Sequence, residues 1–123
     1  MFNSMTKLKN INSHSFIEYF KRATSTLVIL KLLGERPMYG YEIIQEMKKR
    51  SKGRYTLSIP YPALYRLIER GFIEESNVEI YNGRARTYYS ITDTGGRYID
   101  KTMCEYRELE SVFESLIQRK LNV

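Results

Sequence analysis

Basic and aromatic side chains in two short segments have the most evident binding chemistry in this sequence. They are Tyr61, Pro62, Tyr65, Arg66, Arg84 and Arg86. A guanidinium group can bind a guanine edge through two parallel hydrogen bonds or bind a phosphate, and a phenol can contact a phosphate or a thymine methyl group. The two tyrosines could instead pack on a neighbouring hairpin, and Arg86 could pair with Glu79. The segments therefore favour nucleic-acid binding, with packing as the alternative.

Groups suited to covalent catalysis or metal binding are scarce. One histidine and one cysteine, Cys104, provide no nucleophile–base pair, no zinc-ligand set and no disulfide within the chain. We therefore expect no enzyme activity, no metal, no cofactor and a reducing compartment. We expect Cys104 to be a small, buried or half-buried hydrophobic residue.

Positive charge is concentrated in the first half of the 123 residues. The net charge of the chain is +6, whereas residues 1–60 contain eleven basic and four acidic side chains, a net charge of +7. This asymmetry suggests a surface that faces an anion. The longest apolar run, Leu27–Leu33, is far shorter than the ~20 residues of a membrane span. We expect a soluble, cytoplasmic protein.

Three helices are predicted to follow a flexible arm of residues 1–13. The first has an apolar face made of residues at helical spacing. That face consists of Phe16, Phe20, Ala23, Leu27, Leu30 and Leu33. Because of Thr24 and Thr26, this helix could also be broken into two pieces near residues 22–25. The second runs from Tyr39 or Gly40 to Arg50; its first N–H groups could bind a phosphate, and Gly40 could equally serve close helix packing. The third covers residues 63–69.

A hairpin and a long helix complete the predicted elements. Asn82-Gly83 is the preferred type I′ turn between extended runs at residues 72–80 and 85–91, and it pairs Tyr81 with Arg84. The register predicts one buried face made of Val78, Ile80, Ala85, Thr87, Tyr89 and Ile91. Residues 54–59 are also predicted to be extended. Thr92 can cap a helix from Asp93 to about Lys120.

The apolar stripe of this last helix is longer than the preceding elements can cover, so we expect it to pair with the same helix of a second chain. With two aromatic residues of the first helix, the predicted dimerisation residues are Phe16, Phe20, Ile99, Met103, Tyr106, Leu109, Phe113, Leu116 and Ile117. Five of these (Phe16, Phe20, Met103, Tyr106 and Phe113) could line an apolar ligand pocket. Ordinary core and dimer packing is the alternative.

The order of elements is that of a winged helix-turn-helix domain, in which the third helix reads the major groove and the hairpin lies along the backbone. The predicted fold class is thus mainly α with a small β-hairpin. Residues 1–13 form the arm, residues 14–91 the winged helix-turn-helix DNA-binding domain, and residues 92–123 the C-terminal dimerisation helix.

Three blocks resemble the PadR-type transcriptional regulators: RPMYGYEI at residues 36–43, YPALYRL at 61–67 and GRARTYYSIT at 83–92. The likeness covers about residues 22–118, and the single last helix is similar to the compact branch of that family. It implies a homodimeric repressor that is often released from double-stranded DNA by a small aromatic or drug-like ligand. We expect an operator with two inverted half-sites.

One departure concerns the approach to Tyr61-Pro62, where the family usually has a Gly-Thr-Leu type segment. This chain has Ser58-Ile59-Pro60 there, so the hydroxyl near DNA is displaced or lost. The candidate DNA-binding residues are Tyr39, Gly40, Ser58, Tyr61, Pro62, Tyr65, Arg66, Arg84 and Arg86. The alternative function is a protein-interaction adaptor that uses the last helix and binds no DNA; the basic first half and the hairpin arginines count against it.

Overall fold

The computed structural model describes residues 15–118, which form four helices and three strands. The helices are α1 (Phe16–Glu35), α2 (Gly40–Arg50), α3 (Tyr61–Glu69) and α4 (Asp93–Ile117). The strands are β1 (Met38–Tyr39), β2 (Ile73–Tyr81) and β3 (Arg84–Ile91). The predicted arm lies outside the described residues, and α4 ends at Ile117 rather than near Lys120, which also lies outside them.

Helix α1 is continuous, so the break near residues 22–25 that the sequence left open is absent. The Thr24 hydroxyl donates to the Phe20 carbonyl one turn earlier, at 2.6 Å, and lies 2.7 Å from the Tyr55 hydroxyl. Since the Thr24 proton is used within the helix, Tyr55 is the donor in the second bond. The threonine therefore joins the helix to the loop after α2.

The buried face of α1 differs from the predicted one at its N-terminal end. Ile29, Leu30, Leu32 and Leu33 lie in the core, with Ser25 buried beside them. Phe16 is 78% exposed and Ala23 is exposed, whereas Phe20 and Leu27 are half-buried. The prediction was wrong there because α1 carries two neighbouring apolar stripes, and the helices packed against it bury only one of them.

Helix α3 ends in a glycine-dependent turn that leads directly into the hairpin. Gly71 has φ +75°, its N–H donates to the Ile68 carbonyl at 2.9 Å, and Phe72 N–H donates to the Leu67 carbonyl at 3.0 Å. These two bonds form a Schellman motif, which favours glycine because an L side chain is strained at that φ. Leu64 and Leu67 face the core on the same helix.

The three strands are antiparallel in the order β1-β3-β2. The hairpin register is the predicted one, with Tyr81 opposite Arg84 and Ile80 opposite Ala85, and a bulge lies between Glu75 and Asn77. The two-residue β1 was not predicted, because so short a strand has no alternation of its own. The predicted extended segment 54–59 forms no strand.

The predicted buried face of the hairpin was wrong in its outer half. Tyr89 is buried and Ile91 half-buried, but Val78 and Ala85 are exposed and Ile80 is 73% exposed. The strands extend beyond the helices, so alternation alone overstates burial there. We call β2, β3 and their turn the wing.

Helix α4 starts against the base of the wing. The Thr92 hydroxyl accepts from Gly95 N–H at 3.1 Å, as predicted for a cap, and donates to the Gly71 carbonyl at 2.6 Å. The Tyr98 ring stacks on Phe72 with 4.3 Å between centroids. Ile99 lies in the core, whereas the helix from Arg107 onwards is exposed.

Candidate nucleic-acid interface

Helix α3 turns the predicted contact residues outward. Ala63, Leu64 and Leu67 are buried, which leaves the other side of the helix open. That side carries Pro62, Tyr65, Arg66 and Glu69, all exposed, and Tyr65 is 56% exposed. The orientation of α3 is thus set by its three buried residues, and its open face has both a cation and a phenol.

A row of three tyrosines extends this face onto α2. The Tyr41 and Tyr61 ring centroids lie 5.9 Å apart, edge to face, and those of Tyr61 and Tyr65 lie 6.0 Å apart. Burial, and then the neighbouring Tyr41 and Tyr65, raise the pKa of Tyr61 above its ordinary value, so loss of the phenol proton is disfavoured. Tyr41 was not among the predicted contacts, since only the packing of α2 against α3 brings it into this row.

Gly40 sets the spacing between α2 and the start of α3. A Cβ at this position would lie 3.0 Å from Cγ of Pro60 and 3.3 Å from two ring atoms of Tyr61. Gly40 is itself buried. The close-packing interpretation of this glycine therefore has direct structural support, and Gly40 positions Tyr61 in the tyrosine row.

Arg86 contacts two aromatic rings in the outer half of the wing. Its guanidinium carbon lies 3.9 Å from the Tyr81 centroid and 4.4 Å from the Tyr39 centroid. Tyr88 meets Tyr39 edge to face at 5.4 Å. Within residues 15–118, Arg86 forms no ion pair with the opposite Glu79, contrary to one of the alternatives above. Cation–π contacts to both rings link Arg86, on the wing, to Tyr39 at the N-terminus of α2.

The wing tip places Arg84 next to the turn. Asn82 and Gly83 have φ +50° and +75°, as the predicted type I′ turn requires. Arg84 is exposed, and within the described residues it takes part in none of the ion pairs. Ser58 is also exposed, on the loop before α3, and lines a small polar groove together with Arg66.

A larger groove of about 1110 Å³ lies between α1 and α4. Of the five residues predicted to line a ligand pocket, Phe20, Met103 and Tyr106 lie in it, and Phe16 and Phe113 do not. Its polar groups include Thr24 and Tyr55 on one side and Glu35 with Arg50 at the end. Arg50 binds both Glu35 oxygens, at 2.7 and 2.8 Å.

Cys104 lines this groove but is exposed, so the expectation that it is buried or half-buried was wrong. The position of Cys104 on α4 explains its exposure. Met103 packs against the core, whereas Cys104 lies one residue further round the helix and is turned away from it.

The predicted dimerisation surface is largely open. Of its residues Ile99 belongs to the core of the protomer, and Phe20, Met103 and Tyr106 are half-buried. The exposed members are Phe16, Leu109, Phe113, Leu116 and Ile117, with exposures from 53% to 78%. Large apolar side chains in such a row are unusual on the surface of a monomer.

Comparison with known proteins gives a consistent result. Residues 29–101 match the model of the transcriptional regulator PadR-like family. An uncharacterised protein from Lysinibacillus sphaericus is 29% identical over 93 residues, which cover 74% of this chain and 85% of that protein.

Solved structures share the fold over most of the chain. A transcriptional regulator from Clostridium thermocellum is 28% identical, with a TM-score of 0.73, and the match covers 80% of this chain and 98% of that one. A PadR family transcriptional regulator from Eggerthella lenta has a TM-score of 0.78 at 21% identity, covering 94% and 99% of the two chains. The winged helix fold predicted from the sequence is thereby confirmed. Across the described helices, none combines the length and apolar character needed to cross a membrane.

Proposed function

The chain belongs to the PadR-like family of transcriptional regulators, and on that premise we propose that it is a homodimeric repressor of an operator with two inverted half-sites. One observation carries the proposal. The open face of α3 presents Tyr65 and Arg66 next to the tyrosine row, while the wing presents Arg84 at its tip. A helix that carries such side chains fits the major groove, and a hairpin with arginines near its tip fits the adjacent backbone.

The proposal gives each predicted contact residue a role. Arg66 binds a guanine edge or a phosphate, and Pro62 and Tyr65 contact the groove beside it. The neutral Tyr61 phenol donates to a phosphate, as does the Tyr39 phenol with the first N–H groups of α2, beginning at Gly40. Ser58 and Arg84 contact the DNA backbone on either side of α3. Arg86 orients the wing through its two rings.

Dimerisation uses the exposed row on α4 together with Phe16. Two copies related by a twofold axis bury these side chains against each other, and the same axis places two copies of α3 for two half-sites. A dimer thereby explains both the apolar row and the expected symmetry of the operator.

Operator binding is tested by titrating labelled duplex from the region upstream of the chain's own gene. Arg66→Ala is expected to weaken operator binding by about 10- to 150-fold, the loss of roughly 1.5–3 kcal/mol of charge-assisted hydrogen bonding to DNA. Arg97→Ala, with the same charge change on exposed α4, is the matched control. Equal affinity of the unaltered protein for unrelated duplexes at physiological salt would refute sequence-specific repression.

The dimer is tested by light scattering coupled to size-exclusion chromatography. Phe113→Asp puts a charge in the centre of the apolar row and is expected to give monomers, because burying an unpaired carboxylate is costly. Glu110→Asp, an exposed position on the same helix, is the control. A monomeric unaltered protein that binds no operator but captures another protein through α4 would support the adaptor instead.

The groove between α1 and α4 is the site we propose for a release ligand. Its apolar walls and its hydroxyl and carboxylate groups suit an aromatic compound with a polar or cationic group. Such a compound should raise the melting temperature and weaken operator binding. Raised stability with unchanged operator affinity would contradict release by this site.

A further inference from the structure

A second, polar groove of about 290 Å³ lies between the N-terminal half of α1, the loop before α3 and α3 itself. It is lined by Glu18, Lys21, Arg22, Ser25, Thr56, Leu57, Ser58 and Arg66. The four α1 residues are spaced three or four apart and form one side of that helix. None of them is among the contacts proposed above, whereas Ser58 and Arg66 both are.

The groove carries an excess of positive charge. Three cations face a single carboxylate, Glu18. Lys21 is the cation that this carboxylate neutralises, at 3.3 Å, and its ammonium also donates to the Thr56 carbonyl at 3.4 Å. Within residues 15–118, neither Arg22 nor Arg66 takes part in an ion pair.

Lys21 differs from Arg22 and Arg66 in the groups that it contacts. Lys21 contacts the loop through the Thr56 carbonyl and pairs with Glu18, so it offers no free charge. Arg22 is exposed, with its guanidinium carbon 5.7 Å from the Tyr19 ring centroid, and Arg66 is exposed on the opposite side of the groove. Two guanidinium groups on two walls of one groove can donate to the same anion.

The position of the groove points to the source of that anion. Arg66 belongs to the open face of α3 and also lines the groove, so the two surfaces are continuous. DNA that contacts α3 continues past it with regularly spaced phosphates on each strand. A free metabolite would have no need of this continuity with α3.

We propose that this groove binds a backbone phosphate of the operator, with Arg22 and Arg66 donating to its oxygens and Lys21 fixing the loop between them. The contact extends the DNA interface from α3 onto α1. It rests on the proposed function, because it needs the operator on α3. It adds one phosphate to the site and carries no sequence information of its own.

The test compares Arg22→Gln with Lys31→Gln. Positions 22 and 31 both lie on α1 and are nine residues apart. At about 3.6 residues per turn this is about two and a half turns, so the two side chains lie on opposite sides of the helix. Both side chains are exposed and both variants lose one charge. A non-specific effect of net charge would therefore be the same in the two.

Operator affinity is measured for each protein over a range of salt concentrations. Arg22→Gln is expected to weaken binding about tenfold and to reduce the slope of log affinity against log salt by about 0.9, the value for one phosphate. Arg22→Lys should retain the slope, and Lys31→Gln should match the unaltered protein. Ethylation of the contacted phosphate in the operator should inhibit the unaltered protein more strongly than Arg22→Gln, which keeps only the Arg66 contact to that phosphate.

The outcomes separate the two proposals. If the unaltered protein binds its operator specifically and Arg22→Gln keeps both its affinity and its salt slope, the phosphate contact is refuted while the repressor stands. If Arg22→Gln and Lys31→Gln lose the same amount, general charge explains the effect and the contact is again refuted. If the unaltered protein shows no specific binding, the proposed function itself fails.

Discussion

Replacing Gly95 and Gly96 by alanine, one at a time, should change the free energy of unfolding in opposite directions. Both glycines lie in the first turn of α4, so each alanine gains about 0.5–1 kcal/mol of helix propensity. At Gly96 a Cβ would meet nothing within 4 Å. Gly96→Ala should therefore keep this gain in stability. Gly95 lies in the same helical turn and differs from Gly96 in the atoms packed around it.

At Gly95 the start of α4 lies against the backbone after α3. A Cβ there would overlap the carbonyl oxygen of Phe72 and lie 2.9 Å from Cγ1 of Ile91. The Phe72 oxygen accepts from Thr92 N–H at 3.0 Å, so it cannot move without losing that bond. Overpacking costs about 1–3 kcal/mol, and a backbone obstacle belongs at the upper end. After the propensity gain, Gly95→Ala should lose about 2 kcal/mol.

Thermal unfolding followed by far-UV circular dichroism measures both variants. At about 4 °C for each kcal/mol, Gly96→Ala should melt about 2–4 °C higher and Gly95→Ala about 8 °C lower than the unaltered protein. All samples need the same concentration, because dimerisation makes the midpoint depend on it. An equal rise for the two variants would refute the docking of α4 on Phe72.

Two further predictions concern the spacing of α2 and an ion pair of α1. Gly40→Ala should weaken operator binding several-fold, because the added Cβ meets the Pro60 and Tyr61 side chains. These side chains can shift, so the variant should lower the melting temperature less than Gly95→Ala does. Unchanged affinity in a titration would contradict the role of Gly40. The hydrogen bonds from Arg50 hold the pKa of Glu35 below its ordinary value of 4.5, so this pair stabilises the fold above that pH and the contribution is lost as pH falls through the lowered pKa. Urea unfolding of Glu35→Gln should therefore differ from the unaltered protein at pH 7 and converge with it in acid; a constant difference would show that the carboxylate charge is not involved.

Local features of the fold could be predicted from sequence because each depends on a few adjacent residues. Asn82-Gly83 specifies a turn with two positive φ values, and that turn sets the register of the wing from the tip as far as the bulge, where Asn77 pairs with Tyr88. Thr92 caps α4 through its own side chain. The exposed side of α3 followed from the spacing of Leu64 and Leu67.

Other features depend on residues far apart in the chain. Only the packed structure shows that Arg86 contacts the Tyr39 and Tyr81 rings rather than pairing with Glu79. Tyr41 joins the tyrosine row only because Gly40 allows α2 and α3 to approach closely. No periodicity in the sequence contains that information.

The division between the two kinds of information is clearest on α1. Sequence by itself determined that α1 is a helix with apolar sides, and that further helices and a hairpin with arginines near its tip follow it, since backbone propensity and hydrophobic period are local properties. Only the tertiary structure decided that Ile29 and Leu32 are buried while Phe16 remains exposed, and that Arg22 faces Arg66 across a groove. The reason is physical: burial and charge proximity are set by which elements pack together, and both apolar stripes of α1 satisfy the same helical period.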